Sequence, residues 1–113
     1  MIMSSTIDYE HFSKLSMMVG TIQSAEDIPK ADKLYKIIVD MGPTIGVRQI
    51  IAGIKPSYEK ESLINKQIIV LVNLEPRKLR GFESQGMLLA ASNEGKAVLL
   101  QPETKVPNGT IIK

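Results

Sequence analysis

Between Leu34 and Met41, the side chains Tyr35, Ile37, Val39 and Met41 alternate with Leu34, Lys36, Ile38 and Asp40, the two-residue repeat of a half-buried strand. Met17 to Ala25 is similarly rich in apolar and β-branched residues. Val47 to Ala52 follows the turn cluster Gly42-Pro43-Thr44-Ile45-Gly46 and reads as the return strand of a hairpin. Ile68 to Val72 is an unbroken apolar run, as a strand buried on both faces requires. Met87 to Ala91 and Ala97 to Gln101, separated by Ser92-Asn93-Glu94-Gly95, and a short piece from Thr110 to Ile112 complete the extended segments. Two stretches depart from this period. Ile7 to Phe12 reads as a short helix capped by Asp8, with Ile7 and Phe12 placed for a hydrophobic staple. Pro56 to Asn65 suits one or two helical turns, ended by Asn65 in the left-handed conformation.

Five principal strands, a short N-terminal helix and a small helix between strands three and four predict an all-β chain with the plan of an OB-fold, a Greek-key barrel. An SH3-like barrel or a small sandwich fits the same pattern. The chain has 113 residues, 43% apolar and 23% charged, which predicts a single domain spanning 1–113. It has no Cys, so disulfide and thiol chemistry are excluded, and with a single His a zinc site is not expected. No cofactor is expected. The longest strongly apolar stretch without a charge, Ile68 to Leu74, is far short of the ~20 residues that cross a bilayer, so no membrane partner is expected. Met1-Ile2-Met3-Ser4-Ser5 lacks the basic and apolar regions of a secretory leader, which points to the cytoplasm and makes Asn108-Gly109-Thr110 a turn and not a glycan acceptor.

Enzymatic signatures are lacking. There is no G-x-G-x-x-G or G-x-x-x-x-G-K-[ST] phosphate loop, Ser57-Tyr58-Glu59-Lys60 matches S-x-x-K without its companion motifs, and His11 has no assignable triad partner. A binding protein is therefore expected, not an enzyme. The charge is unevenly spread. Residues 1–32 hold two cations against five acids and residues 33–113 twelve cations against seven, a bias that suits a polyanionic partner and equally a merely solvated lysine surface. The densest polar stretch is Asn73-Leu74-Glu75-Pro76-Arg77-Lys78-Leu79-Arg80-Gly81-Phe82-Glu83-Ser84-Gln85-Gly86-Met87, read as a long loop between two strong strands. A solvated turn would explain its Pro and Gly but not Ser84-Gln85-Gly86-Met87. There a glycine permits close approach, Ser or Gln can pair with base edges or phosphates, and Met offers an apolar face to an unstacked base.

The stretch NLEPRKLRGFESQGMLLAA, Asn73 to Ala91, resembles the signature of the tRNA-binding OB domain found at the C-terminus of many bacterial methionyl-tRNA synthetases, in stand-alone tRNA-binding proteins and in endothelial-monocyte-activating polypeptide relatives. Ile7 to Leu15, Ala25 to Lys36 and Arg48 to Ile54 resemble the family's other blocks, in the same order. The resemblance implies a homodimeric OB-fold that performs no chemistry and grips tRNA by shape and backbone at the corner of its L. It implies a tRNA face including Lys33, Arg48, Asn73, Lys78, Arg80, Ser84, Gln85 and Met87, with Arg77 as a weaker member. Cations would neutralise phosphates, Ser84 and Gln85 would hydrogen-bond and Met87 would pack. The chain departs from the family in Met18 and Thr21, where Arg and Lys commonly flank Val19-Gly20, and in Glu75, where Lys often precedes the proline.

Met17 and Met18 point to opposite faces of their strand, so one of them needs a cover beyond the barrel core, and Ile111 and Ile112 pose the same problem. With the resemblance, these four residues are the expected homodimer interface. The leading expectation is a tRNA-binding module, alone or as a detached β-subunit of a methionyl-tRNA synthetase. A chaperone or export-related protein of the same fold, binding unfolded chains through Met17, Met18 and Ile38, is the alternative; an adaptor docking on a synthetase is a third.

Overall fold

The computed structural model describes residues 5–113. Met1–Ser4, which carry most of the secretory-leader reading, lie outside the described residues. The helix α1 (Tyr9–Ser13) is capped as expected: the Asp8 carboxylate accepts from the His11 amide at 2.9 Å and from His11 Nδ1 at 2.6 Å. Those bonds hold the Asp8 pKa below its ordinary value, the amide bond most strongly. The staple does not form, since Ile7 is exposed, and Phe12 meets Tyr9 instead with ring centroids 6.2 Å apart.

Strand β1 (Met17–Ile28) runs three residues past its predicted end and β2 (Ala31–Asp40) starts three before its predicted beginning. Pro29 and Lys30 alone make the turn, so Ile28 pairs with Ala31, and Asp27 and Glu26 pair with Tyr35 and Lys36. The charged stretch that looks like a break is the far end of a long hairpin. A Glu26–Lys36 ion pair at 3.0 Å bridges it. Strand β3 (Val47–Ala52) matches its prediction, as does Asn65, at φ 69 beyond the helix α2 (Lys60–Leu63). Strand β4 (Gln67–Leu71) is followed by β5 (Arg77–Leu79) and β6 (Phe82–Ser84), a hairpin inside the stretch expected to be a loop. The expected strand from Met87 to Ala91 divides at Leu89 into β7 (Met87–Leu88) and β8 (Ala90–Asn93), and β8 forms a second hairpin with β9 (Lys96–Leu99). Last comes β10 (Ile111–Ile112).

The main sheet is antiparallel in the order β3-β2-β1-β4-β7, with β10 on the first residues of β1. Its two ends meet where β3 lies against the β6–β7 segment, joined by the Gln85 amide donating to the Gln49 carbonyl at 2.7 Å. The result is an all-β, OB-like barrel. Ile22, Ile37, Val39, Ile50, Ile68 and Val70 fill it and are essentially inaccessible to solvent. Burial of each such side chain contributes about 1.5–3 kcal/mol. On β4, Ile69 and Leu71 of the opposite face are also buried, which is why that strand shows no polar alternation. A smaller cluster, Ile28, Ala31 and Ile51 with Leu34, Leu79 and Phe82 against it, seats the β5–β6 hairpin on the end of the β1–β2 hairpin.

Candidate nucleic-acid interface

The turn of the β5–β6 hairpin is Arg80-Gly81, with both residues at positive φ, 52° and 86°. That is the two-residue hairpin turn whose twist suits the flanking strands, and it places an arginine where Asn, Asp or Gly is usual. Leu79 and Phe82, paired across the ladder, face the small apolar cluster, and Lys36 Nζ lies 5.2 Å from the Phe82 ring centroid. Lys78 and Glu83 form the pair on the other face. Seated this way, Arg80 comes to the tip of the β1–β2 hairpin. It lines a depression of about 320 Å³ with Lys30, Ala31, Asp32, Lys33 and Leu34. Lys30 is itself at φ 62. Two cations on separate turns thus occupy a left-handed backbone conformation that costs an ordinary side chain about 1–2 kcal/mol. Strain of this kind tends to be kept where function needs it.

The cations divide by partner. Lys36 pairs with Glu26, and Lys55 and Lys60 both pair with Asp27 at 3.0 and 2.8 Å. Their contacts, Lys60 first, hold the Asp27 pKa below its ordinary value. Among the described residues no ion pair engages Lys30, Lys33, Arg77, Lys78 or Arg80, all of which are exposed. These five stand on two touching hairpins, against Asp32, Glu75 and Glu83 nearby.

Of the expected tRNA face, the structure brings Lys33 and Arg80 together at these tips, while Lys78 stands on the opposite face of the β5–β6 hairpin, across the ladder from Glu83. Arg77 and the exposed Met87 line a second, narrower crevice of about 60 Å³ with Leu74, Glu75, Ser84 and Gly86. The other members are taken up inside the chain. Ser84 is buried; its hydroxyl accepts from the Ile51 amide and donates to the Gly86 carbonyl, each at 3.0 Å. Gln85 Oε1 accepts from the Gln49 amide at 2.9 Å. Arg48 Nη1 donates to the Gln85 carbonyl at 2.8 Å and to the Val72 carbonyl at 3.1 Å. Asn73 accepts from the Ser16 amide and donates to the Lys14 carbonyl, tying the end of β4 to the segment after α1. Gly86 approaches the barrel itself: a Cβ there would stand 2.9 Å from the Leu71 carbonyl oxygen and 3.1 Å from Ile50 Cδ1. Ser84, expected on the tRNA face, is thus turned into the fold beside Gly86, whereas Gln85 engages main chain through Oε1 and its Nε2 meets Glu83 Oε1 at 3.5 Å. A buried hydroxyl that already donates one hydrogen bond and accepts another is spent chiefly on the fold.

The model of the family described as "Putative tRNA binding domain" matches residues 17–111. The chain belongs to this tRNA-binding domain family. A methionine–tRNA ligase of Methanococcus vannielii is 49% identical over 106 residues and one of Thermococcus onnurineus 47% over 107. The matches cover 94% and 95% of this chain but 16% and 14% of the ligases, so the chain spans about one-seventh of their length. A crystal structure of a MetRS-related protein from Pyrococcus horikoshii superposes with a TM-score of 0.89 at 39% identity, covering 97% of this chain and 100% of that one. The crystal structure of chaperone CsaA from Bacillus anthracis gives 0.87 at 34% identity, covering 96% and 100%.

Within this family member, sequence reasoning missed Lys30 and Gln49. The signal for Lys30 was the two-residue Pro29-Lys30 turn, which puts its side chain at a hairpin tip. Gln49 gave none: it matters because its main chain meets Gln85 and its side-chain amide donates to the Glu83 carbonyl at 2.9 Å. The departures from the family pattern also find places. Met18 packs against the barrel core, the Thr21 hydroxyl donates to Asn108 Oδ1 at 2.6 Å, and Glu75 lines the crevice beside Arg77. Met17 and Met18 lie opposite Ile112 and Ile111 in the β1–β10 ladder, with Ile111 63% exposed.

Proposed function

We propose that the chain binds tRNA, with Lys30, Lys33 and Arg80 on the two converging hairpin tips, and Arg77 and Lys78 on the β5 strand behind them, neutralising backbone phosphates while the exposed face of Met87 packs against sugar or base. The observation that carries this reading is the set of five exposed cations that no ion pair engages among the described residues, carried on two hairpins that meet through one apolar cluster, in a member of the tRNA-binding domain family. Binding of this type reads backbone shape and not base sequence. The chain contributes affinity and no chemistry. The similarity to one stretch of methionine–tRNA ligases supports the finer reading that it serves such a ligase; a homodimer joined through Met17, Met18, Ile111 and Ile112 would cover Ile111, which is 63% exposed in the single chain.

Filter binding of bulk tRNA across a salt series tests the reading. Log affinity falls with log salt at about −0.7 to −0.9 per phosphate contacted, and Lys78→Ala or Arg80→Ala makes that slope shallower by about one contact. No binding, or binding indifferent to salt, overturns it. The likeness to the crystal structure of chaperone CsaA favours a second reading, capture of unfolded chains. Suppression of the aggregation of a model client, with tRNA unshifted in a gel, would select that one. Light scattering with and without tRNA reads the subunit count.

A further inference from the structure

The barrel is closed between β3 and the β6–β7 segment by few main-chain bonds, and side chains supply the rest. On β3, Gln49 and Ile51 face the β5–β6 hairpin, while Arg48 shares the opposite face with Ile50 and Ala52 of the core. Arg48 is accordingly held at the barrel's end, partly buried, and its Nη1 donates to two carbonyls, Val72 and Gln85. Those two residues bracket the excursion 73–84 that carries Arg77, Lys78 and Arg80. A charged donor to two carbonyls is worth more than neutral pairs, and the planar guanidinium loses little freedom in making both bonds. The two ends of the excursion are thereby fixed to β3 at one point.

We propose that Arg48 is a positioning residue for the cationic hairpin, acting through the carbonyls of Val72 and Gln85 and not as a phosphate contact. Fixing both ends reduces the conformations the hairpin samples before RNA arrives, so the ordering cost is met in folding and not in binding. Ser84, bonded to Ile51 and Gly86, and Gln85, bonded to Gln49, hold the same seam on either side of that point. The part concerning tRNA rests on the proposed function; the part concerning the hairpin does not.

The test uses Arg48→Met in the full chain, alone and combined with Lys78→Ala and Arg80→Ala. Hydrogen exchange of the free protein should show faster exchange at the amides of Lys78 to Glu83, with Ile37 and Val70 unchanged. In tRNA binding at low salt, Arg48→Met should lower affinity about tenfold in the wild-type background and less than about twofold when Lys78 and Arg80 are already alanine, because the two act as one unit. Equal losses in both backgrounds, unchanged exchange at the hairpin, or faster exchange spread over the whole barrel would each overturn the proposal. Should Arg48→Met not fold, Arg48→Lys carries the same two measurements. If the wild-type chain binds no tRNA, the functional reading fails while the exchange experiment still decides what Arg48 holds.

Discussion

The molecule contains the same backbone device twice. The β5–β6 hairpin turns at Arg80-Gly81 with φ of 52° and 86°, and β8–β9 turns at Glu94-Gly95 with 51° and 79°. Both are two-stranded ribbons outside the main sheet, and both are anchored by a hydroxyl that accepts a main-chain amide, Ser84 from Ile51 at 3.0 Å and Ser57 from Ala97 at 2.9 Å. They differ in seat and in charge. Leu79 and Phe82 press the first into a small apolar cluster and its anchor is buried, whereas the second sets only Ala97 and Leu99 of β9 on the main core and leaves every residue of its Ala90–Asn93 strand exposed. The first carries three cations and one acid, the second Lys96 beside Glu94. A two-residue turn is thus not a binding feature in itself; the seat and the charges make it one.

The contrast breaks most severely at its glycines. In Gly86→Ala the new methyl meets the Leu71 carbonyl and Ile50 at a backbone φ of 147, so we expect a loss of about 3 kcal/mol or more. In Gly95→Ala the methyl enters open space at φ 79 and only the conformational cost remains, about 1 kcal/mol. Urea unfolding measures both, and equal losses would mean that Gly86 is not where β7 is forced against the barrel. Next come the anchors. Ser84→Ala strands a buried amide and a buried carbonyl and should cost about 2 kcal/mol; Ser57→Ala leaves a partly exposed amide that water can reach and should cost under about 1 kcal/mol. Only the first should also weaken tRNA binding.

A smaller effect separates stability from binding. Arg80→Asn and Glu94→Asn each create the Asn-Gly turn that this geometry prefers, so each should stabilise the chain by about 0.5 kcal/mol. Arg80→Asn should nevertheless reduce tRNA affinity and flatten its salt dependence, while Glu94→Asn leaves both as they were. If Arg80→Asn destabilises the chain, the arginine is holding the turn and is not strained by it.

The barrel was legible because its strands are long and apolar: Ile68 to Val72 and the alternation from Tyr35 to Met41 state their burial locally. The β5–β6 hairpin was not, because three-residue strands carrying Arg, Lys and Glu hold no local period, and their seat is Ile28, Ala31 and Ile51, far away in sequence. Ser84 and Gln85 show a second limit. A polar residue in a loop looks the same whether it is offered to a ligand or consumed by main chain, and here the consumers, Gln49 and Ile51, lie 36 and 33 residues earlier. Cations are less ambiguous, since they are rarely buried without a partner, yet Arg48 of the expected tRNA face is spent on the Val72 and Gln85 carbonyls all the same.

The smallest expected effect concerns pH. Asp27 at the end of β1 binds Lys60 at 2.8 Å and Lys55 at 3.0 Å, and so reaches the β3–α2 segment that anchors β8–β9 through Ser57 and Tyr58. Its pKa is lowered in the folded chain, chiefly by Lys60, so folding favours the carboxylate. The contribution is complete above the pKa of the unfolded chain and is lost as pH falls through the lowered folded value. Screening by water keeps it small, because the three side chains keep between a third and a half of their surface in solvent. Urea midpoints from neutral pH down through the carboxylate range should therefore fall less steeply for Asp27→Asn than for the parent, with tRNA affinity at neutral pH alike in the two. An equal pH dependence would mean that these contacts add nothing to stability, and a change in tRNA affinity would mean that the two hairpins are not held independently.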